Sequence, residues 1–415
     1  MKYRAAFTKF CLGVSAIAVA VPAAPAFAQA AGENPAADNG IGDIVVTAQR
    51  RAQKLDDVPL SVSVFQAEDL AKQGVTRIND IGFQVPNLVF EQAGVIRNQR
   101  ISIRGINADT RFPGAESAVG VVVDGVYLSG VGGLSFDLAD IERIEVLRGP
   151  QGTLFGRNTT AGVINVVSRM PDNDFRGSVT GEIGNHDLYR LRGSVSGPLI
   201  KDKLFASLAM LHNERGGFDL NTATGDKINT LNTDAARLIL RATPTEDFEA
   251  TFIGDIIDDH YLPQEPESGV RDRRVTNSIY NAETSRRVYG GALTLQYAIP
   301  DSVTFKSISS YRRYRTNETN DNDGFALPVS LLSRQNRETS REFTQEIQIV
   351  SPEGQRVSWL LGGFMLDQSL KFDGEYHVNM DGFLDTLVRP SFASGPLAAF
   401  LFGVTTCTPV PSQPR

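Results

Sequence analysis

The residue types capable of chemistry form few convergent sets in this chain. Arg148-Gly149-Pro150-Gln151-Gly152-Thr153-Leu154-Phe155-Gly156 is glycine-rich, as in a phosphate cradle where backbone N–H groups surround an anion. No Lys-Ser/Thr pair follows it, so tight turns that let backbone pass close to another element are the expected use of these glycines. Asp321-Asn322-Asp323-Gly324 has the oxygen-rich character of a calcium loop. The earlier ligand positions and the closing Glu are missing, and a solvated loop is expected instead. Asp258-Asp259-His260 fits either a ligand contact or a polar loop edge. With four His and two Cys, no imidazole or thiolate metal centre and no Ser/His/Asp or Cys/His nucleophile set can be assembled. The expectation is a protein with no catalytic residue, no cofactor and no metal. One pattern of another sort remains: Asp43-Ile44-Val45-Val46-Thr47-Ala48, a short β-prone run beside Arg50 and Arg51 with no partner strand of its own.

The elements that must carry these residues begin behind a secretory leader. Lys2, Arg4 and Lys9 precede an apolar stretch from Phe10 to Val21, prolines break it, and Ala26-Phe27-Ala28 supplies a small-x-small cleavage site. Residues 1–28 are read as a signal peptide, and 29–42 as a flexible leader rich in Ala, Gly and Asn. Cleavage removes Cys11 and leaves Cys407, which is expected to pair with a cysteine encoded beyond Arg415. The formal charge of −7 gives no support for nucleic-acid binding, which calls for clustered positive charge. The uncharged tail from Pro390 to Pro414 holds an apolar part too short to cross a bilayer as a helix.

From Leu60 to Met170 the sequence alternates short strands and helices. Strands are expected at Leu60 to Phe65, Ile101 to Arg104, Gly120 to Leu128, Ile141 to Leu147 and Val163 to Ser168, with helices around Ala67 to Gln73 and Arg77 to Phe83. This is an α+β domain, bounded at 49–171. Past Pro171, over 172–415, long runs with period two take over. Tyr189, Leu191 and Val195 oppose Arg190, Arg192, Ser194 and Ser196, and Ala236, Leu238 and Leu240 oppose Arg237 and Arg241. Phe248, Ala250, Phe252 and Ile256 oppose Glu249, Thr251 and Asp255, with Ile253 an exception. Tyr289, Leu293, Leu295 and Tyr297 oppose Thr294 and Gln296, while Phe343, Ile347 and Ile349 oppose Glu342, Thr344, Glu346 and Gln348. Each such strand has one apolar and one polar face.

The loops choose the architecture. Pro198, Pro244, Pro300 and Pro352 mark short connections roughly 50 residues apart, and long polar loops lie between them. A transmembrane β-barrel has this asymmetry, with short turns on one side, long loops on the other, and aromatic residues such as Tyr297, Phe305 and Trp359 near the turns. A kelch-type propeller has a similar period but places four strands in it, against two here. The expected fold is therefore an α+β domain followed by an antiparallel transmembrane barrel. It is incomplete, with about 9 of the about 22 strands found in plugged barrels.

In this order the motifs resemble the TonB-dependent outer-membrane receptors. Asp43 to Ala48 is similar to their TonB box. Asp57-Val58-Pro59-Leu60-Ser61-Val62, Ile103-Arg104-Gly105, Val123-Asp124-Gly125-Val126-Tyr127 and Ile144-Glu145-Val146-Leu147-Arg148-Gly149-Pro150 through Asn158 resemble successive plug segments, and Gly162-Val163-Ile164-Asn165-Val166 the plug's closing strand. The resemblance implies a Gram-negative outer-membrane importer of a scarce nutrient, with a ferric siderophore as the default substrate. Cobalamin, haem, nickel complexes and oligosaccharides are alternatives, as is a non-functional receptor fragment. TonB, with its inner-membrane energising complex, and outer-membrane lipid are the implied partners. An extended box can bind TonB by adding a strand, the alternative being a strand of the plug itself. The resemblance also places Arg104 and Arg148 against wall glutamates. Alternation sends Glu346 into the lumen, where it is expected to hold them.

Overall fold

The structure, a computed structural model, describes residues 44–378 apart from 48–49, 52, 74, 76–77, 92–99, 109–114, 130–140, 264–274, 277–280, 322–331, 353–354 and 356. The signal peptide, the leader, Asp43, Ala48, the loop at 322–324, the tail from 390 and Cys407 lie outside the described residues. Near the N-terminus, β1 (Val45–Val46) and β2 (Gln53–Lys54) form an antiparallel ribbon. Then follow β3 (Val62–Gln66), a helix at Ala67–Lys72 and a 3-10 turn at Ile78–Phe83. The paired strands β4 (Leu88–Glu91) and β5 (Arg100–Ile103) come next, followed by β6 (Val119–Val123), β7 (Val126–Leu128), β8 (Ile141–Arg148), a helical turn at Gly152–Phe155 and β9 (Gly162–Ser168). The main sheet has the order β3-β8-β9-β6-β7, parallel only between β6 and β9. The run expected as one strand from Gly120 to Leu128 is a hairpin. Asp124 and Gly125 both take positive φ (51° and 85°), the Asp-Gly turn whose twist suits two-residue hairpins. Ile103, Val121, Ile144, Val146, Ile164 and Val166 build the core of this domain.

The second part is a nine-stranded antiparallel sheet. It starts with β10 (Arg176–Gly184), β11 (Leu188–Ile200) and β12 (Leu204–Arg215). The loop after β12 carries β13 (Asp219–Asn221) and β14 (Lys227–Ile228), and the wall resumes with β15 (Leu231–Thr245) and β16 (Phe248–Tyr261). After β17 (Val275–Thr276), which pairs with β13, come β18 (Glu283–Ala298), β19 (Thr304–Asp321), β20 (Leu332–Val350) and β21 (Leu360–Val378). Every wall strand pairs with the next, in the order β10-β11-β12-β15-β16-β18-β19-β20-β21. Among the described residues no helix is long and apolar enough to cross a membrane.

The expected turn prolines fall in two classes. Pro300 and Pro352 stand in turns, whereas Pro198 and Pro244 lie inside β11 and β15 where the register shifts. A bulge lets a strand tolerate a residue without an N–H, and the chain is already leaving the ladder there. The strands reach 19 residues, about twice what a bilayer needs. On β18 the outward residues run from Tyr297 through Leu295 and Leu293 to Tyr289, after which Arg287 forms an ion pair with Asp258 of β16. Two tyrosines thus bracket a nine-residue apolar band, the height of a hydrocarbon core for a tilted strand, and the ladder continues past it with charged rungs. The opposite face is mixed. Ile257, Val288, Ile308 and Tyr314 join the core of the α+β domain, so that domain and wall share one apolar contact.

Candidate functional site

The β-prone N-terminal run is docked on the α+β domain. Arg50, with φ of 61°, turns the chain back so that β1 meets β2, and its N–H donates to the Thr47 carbonyl at 2.9 Å. Val46 is 0% exposed. Thr47 donates its N–H to Glu145 Oε1 at 2.9 Å, and its hydroxyl lies 3.1 Å from the same oxygen. Glu145, on β8 and itself 0% exposed, also accepts from Arg143 Nε at 2.8 Å and from Asn165 Nδ2 at 3.0 Å. A buried carboxylate is thereby supplied with four donors, as its desolvation requires.

Glu346 does reach the α+β domain, but through a different arginine from the two expected. Arg50 Nη2 donates to Glu346 Oε2 at 3.4 Å, with side chains 11% and 15% exposed. The rest of the Arg50 fork is used as well. Nε donates to Leu154 O at 3.1 Å, Nη1 to Gly125 O at 3.2 Å, and the guanidinium lies 4.7 Å from the centre of the Phe155 ring. Burial lowers the Arg50 pKa and the Glu346 carboxylate opposes that shift in part. Arg104 sits exposed in a turn at φ 54° after β5. Arg148 closes β8 with its N–H on Ser61 O, and its Nε is buried without a partner. Among the described residues no ion pair joins either guanidinium to a wall carboxylate. The reason is local: both arginines end on turns of their own sheet, while Arg50 lies at the bend that brings the N-terminal run to the wall.

Three further contacts fasten domain to wall. Arg51 Nη2 donates to Ser351 Oγ at 2.9 Å and to the Trp359 carbonyl, at the turn between β20 and β21. Asp124, in the β6–β7 turn, accepts from the N–H of Ser168 at 2.7 Å and its hydroxyl at 2.8 Å, and pairs at 3.6 Å with Arg237 of β15. Ser129 donates to Glu342 of β20 and accepts from Gln368 of β21 at 2.8 Å. None of these was singled out from sequence. Arg237 and Glu342 are readable as inward residues by alternation, but their partners are set by how two separate folds meet.

The remaining candidates resolve into structure. The glycine-rich turn after β8 spends its amides internally: Gly149 N–H bonds Ala161 O, Gln151 N–H bonds Thr159 O, and Gly156 N–H bonds Gly152 O. Gly149 and Gly156 take φ of 111° and 79°, so these glycines serve turns, and those three N–H groups are closed to an anion. Asp258 and Asp259 pair across strands with Arg287 and Arg286, and His260 lies 2.9 Å from Glu283. They are rungs of the wall above the apolar band.

Known proteins match both parts. A family model described as TonB-dependent Receptor Plug Domain matches residues 54–163. The pesticin receptor of Yersinia pestis is 32% identical over 205 residues, which is 49% of this chain and 30% of that receptor. The vitamin B12 transporter BtuB of Vibrio vulnificus is 34% identical over 141 residues, 33% of this chain and 22% of the transporter. The crystal structure of the ferric yersiniabactin uptake receptor FyuA from Yersinia pestis superposes with a TM-score of 0.69 at 24% identity, covering 77% of this chain and 50% of that one. The siderophore receptor PiuA from Acinetobacter baumannii gives 0.64 at 15% identity, covering 79% and 48%. The chain spans about half the length of these solved receptors, and its aligned parts cover less than a third of the two sequence relatives. Residues 54–163 thus match the plug domain of TonB-dependent receptors, and the plug with the nine consecutive strands behind it has the fold of the solved receptors.

Proposed function

We propose that this chain is part of an outer-membrane active transporter, not an enzyme, that takes up a scarce nutrient, with a ferric siderophore as first substrate, and that TonB drives it through residues 43–48. The observation that carries this reading is the N-terminal run: Val45–Val46 is held by a ribbon of only two residues per strand, beside an arginine that joins plug to wall. Such a segment offers an energised partner both a strand to pair with and a direct pull on the plug. The siderophore class is supported by the likeness to FyuA, a ferric yersiniabactin uptake receptor, and to PiuA, a siderophore receptor. BtuB of Vibrio vulnificus supports cobalamin as the second reading. The outer membrane of a Gram-negative cell is the location, with the Tyr289-to-Tyr297 band in contact with lipid.

Uptake of iron-55 siderophores and cobalt-57 cobalamin is to be measured in a strain lacking its own receptors and carrying this gene. Val46→Pro removes a backbone donor and restricts the chain. Uptake of one ligand that is abolished by Val46→Pro is the expected result. Uptake of neither ligand, or uptake indifferent to Val46→Pro, would overturn it.

A further inference from the structure

The outward face of the wall gathers unopposed positive charge at one end of its apolar band. On β19, Tyr311 is exposed while Tyr314 and Thr316 are buried, so period two turns Arg313 and Arg315 outward. On β20, Phe343 and Ile347 face out while Ser340 and Glu342 are buried, which turns Thr339 and Arg341 outward in the same way. The register brings these residues together. Arg313 stands opposite Arg341, and one rung further along the same face Arg315 stands opposite Arg287 of β18. Like charges directly opposite each other destabilise a ladder, and two such rungs are adjacent here. The acids of this face do not answer them. Asp258 pairs with Arg287 and Asp373 with Lys371. Asp367 of β21, opposite Phe343 and so diagonal to Arg341, makes no ion pair with it. Among the described residues no hydrogen bond or ion pair joins the guanidinium groups of Arg313, Arg315 and Arg341 to any group.

Their level is fixed too. Arg313 is the register partner of Tyr289, one of the two tyrosines that bracket the apolar band, so the arginines begin where the band ends. At this end β18 follows the long connection after Tyr261, and long connections of a membrane barrel lie on the outer side. Resting on the reading of the Tyr289-to-Tyr297 band as the lipid contact, we propose that Arg313, Arg315 and Arg341 bind the phosphorylated head group of lipopolysaccharide, the glycolipid of the outer leaflet. A phosphoryl group takes two parallel N–H donors from a guanidinium. Placed between Arg313 and Arg341, it converts two opposed charges into one neutralised cluster. Thr339, in register between Arg315 and Lys371, offers a hydroxyl to the same oxygens. Phospholipids of the inner leaflet carry phosphate as well, but at the short-turn end of the strands, away from this patch. The bound lipid stabilises β19 and β20 where their own charges repel.

The test uses the purified chain folded in a neutral detergent, with folding scored by gel mobility with and without heating. Binding of diphosphoryl lipid A, the membrane-embedded part of lipopolysaccharide, is measured by native mass spectrometry beside monophosphoryl lipid A, phosphatidylglycerol and inorganic phosphate. The parent should bind diphosphoryl lipid A more tightly than the other three and melt at a higher temperature with it. Arg313→Gln, Arg315→Gln and Arg341→Gln combined should weaken that binding about a hundredfold, the product of three basic side chains at a lipid surface. Without lipid A the triple variant should melt no lower than the parent, because the repulsion has been removed. Lys201→Gln with Lys203→Gln, exposed in the turn between β11 and β12, should bind like the parent. Unchanged lipid A binding by a folded triple variant would overturn the site. Equal binding of phosphatidylglycerol or inorganic phosphate by the parent would overturn lipopolysaccharide as the occupant. A folded parent that binds no lipid A would overturn the site and leave the lipid-facing band standing, whereas a chain that inserts into neither micelle nor vesicle would overturn both.

Discussion

Arg50 and Glu346 are 296 positions apart in sequence, yet their side chains form a shielded ion pair between the bend after the N-terminal run and strand β20. The same guanidinium holds the carbonyls of Gly125 and Leu154, so one side chain ties the docked segment, the β6–β7 turn, the glycine-rich turn and the wall together. Movement of the N-terminal run and loosening of the plug are therefore mechanically linked.

Removing either partner should free both. Glu346→Gln leaves Arg50 buried without its counter-charge, a change of about 3 kcal/mol for a shielded pair. The expected outcome is greater sensitivity to large antibiotics that the closed plug excludes. Arg50→Glu should behave alike, and the exchange Arg50→Glu with Glu346→Arg should recover part of the barrier. Equal antibiotic sensitivity in all four strains would show that the pair does not hold the plug shut.

Among the described glycines of the plug, Gly162 is the most sterically restricted. A Cβ there would lie 2.3 Å from the Leu147 carbonyl oxygen and 2.8 Å from Ile103 Cδ1. The first neighbour is backbone of the adjacent strand β8 and cannot rotate away. Gly162→Ala should destabilise the plug by about 1–3 kcal/mol, seen as faster trypsin cleavage of plug segments with the wall still folded. Gly105, with nothing within 4 Å of a Cβ, meets no such clash, and its alanine variant should be cut more slowly than that of Gly162.

Tyr127 gives the plug an alkaline limit. Burial pushes its hydroxyl pKa up to about 12, with the Asn158 hydrogen bond opposing and the Glu342 charge adding to the shift. Unfolded tyrosine titrates near 10. The protonated form is favoured in the fold, so its contribution is complete below pH 10 and is lost as pH rises through about 12. Two units correspond to about 3 kcal/mol. Thermal unfolding followed from pH 8 to 12 should show this loss in the parent and a flatter dependence in Tyr127→Phe. Parallel curves would refute the assignment.

Most of the fold was legible because strand alternation is local. Phe343 and Ile347 face outward and Glu342 and Gln348 are buried inward, as period two requires. The motif order identified the plug strands, and Pro300 and Pro352 marked true turns. The partners across the plug–wall seam were not legible. Arg104, Arg148 and Arg50 are equivalent to a reader of sequence, and only the bend at Arg50 selects among them. Thr47 was visible as part of a β-prone run. Its contacts were not, because Glu145 and Asn165 lie on two strands that are brought side by side only by the sheet.

The outer face of β18 gives the sharpest test of the membrane reading. Leu293 is 39% exposed and stands midway between Tyr289 and Tyr297, with Phe252 of β16 and Ser309 of β19 beside it in register. In a water-exposed sheet, Leu293→Arg would be harmless or would improve solubility. In lipid the guanidinium would sit near the middle of the hydrocarbon, at about 2–4 kcal/mol. Thr294, one residue on, belongs to the opposite, lumenal face. Leu293→Arg should therefore reduce the amount of folded protein in outer-membrane fractions, while Thr294→Arg should leave more of it. Folding into lipid vesicles, scored by gel mobility with and without heating, measures both. Equal folding of the two variants would contradict contact between Leu293 and lipid.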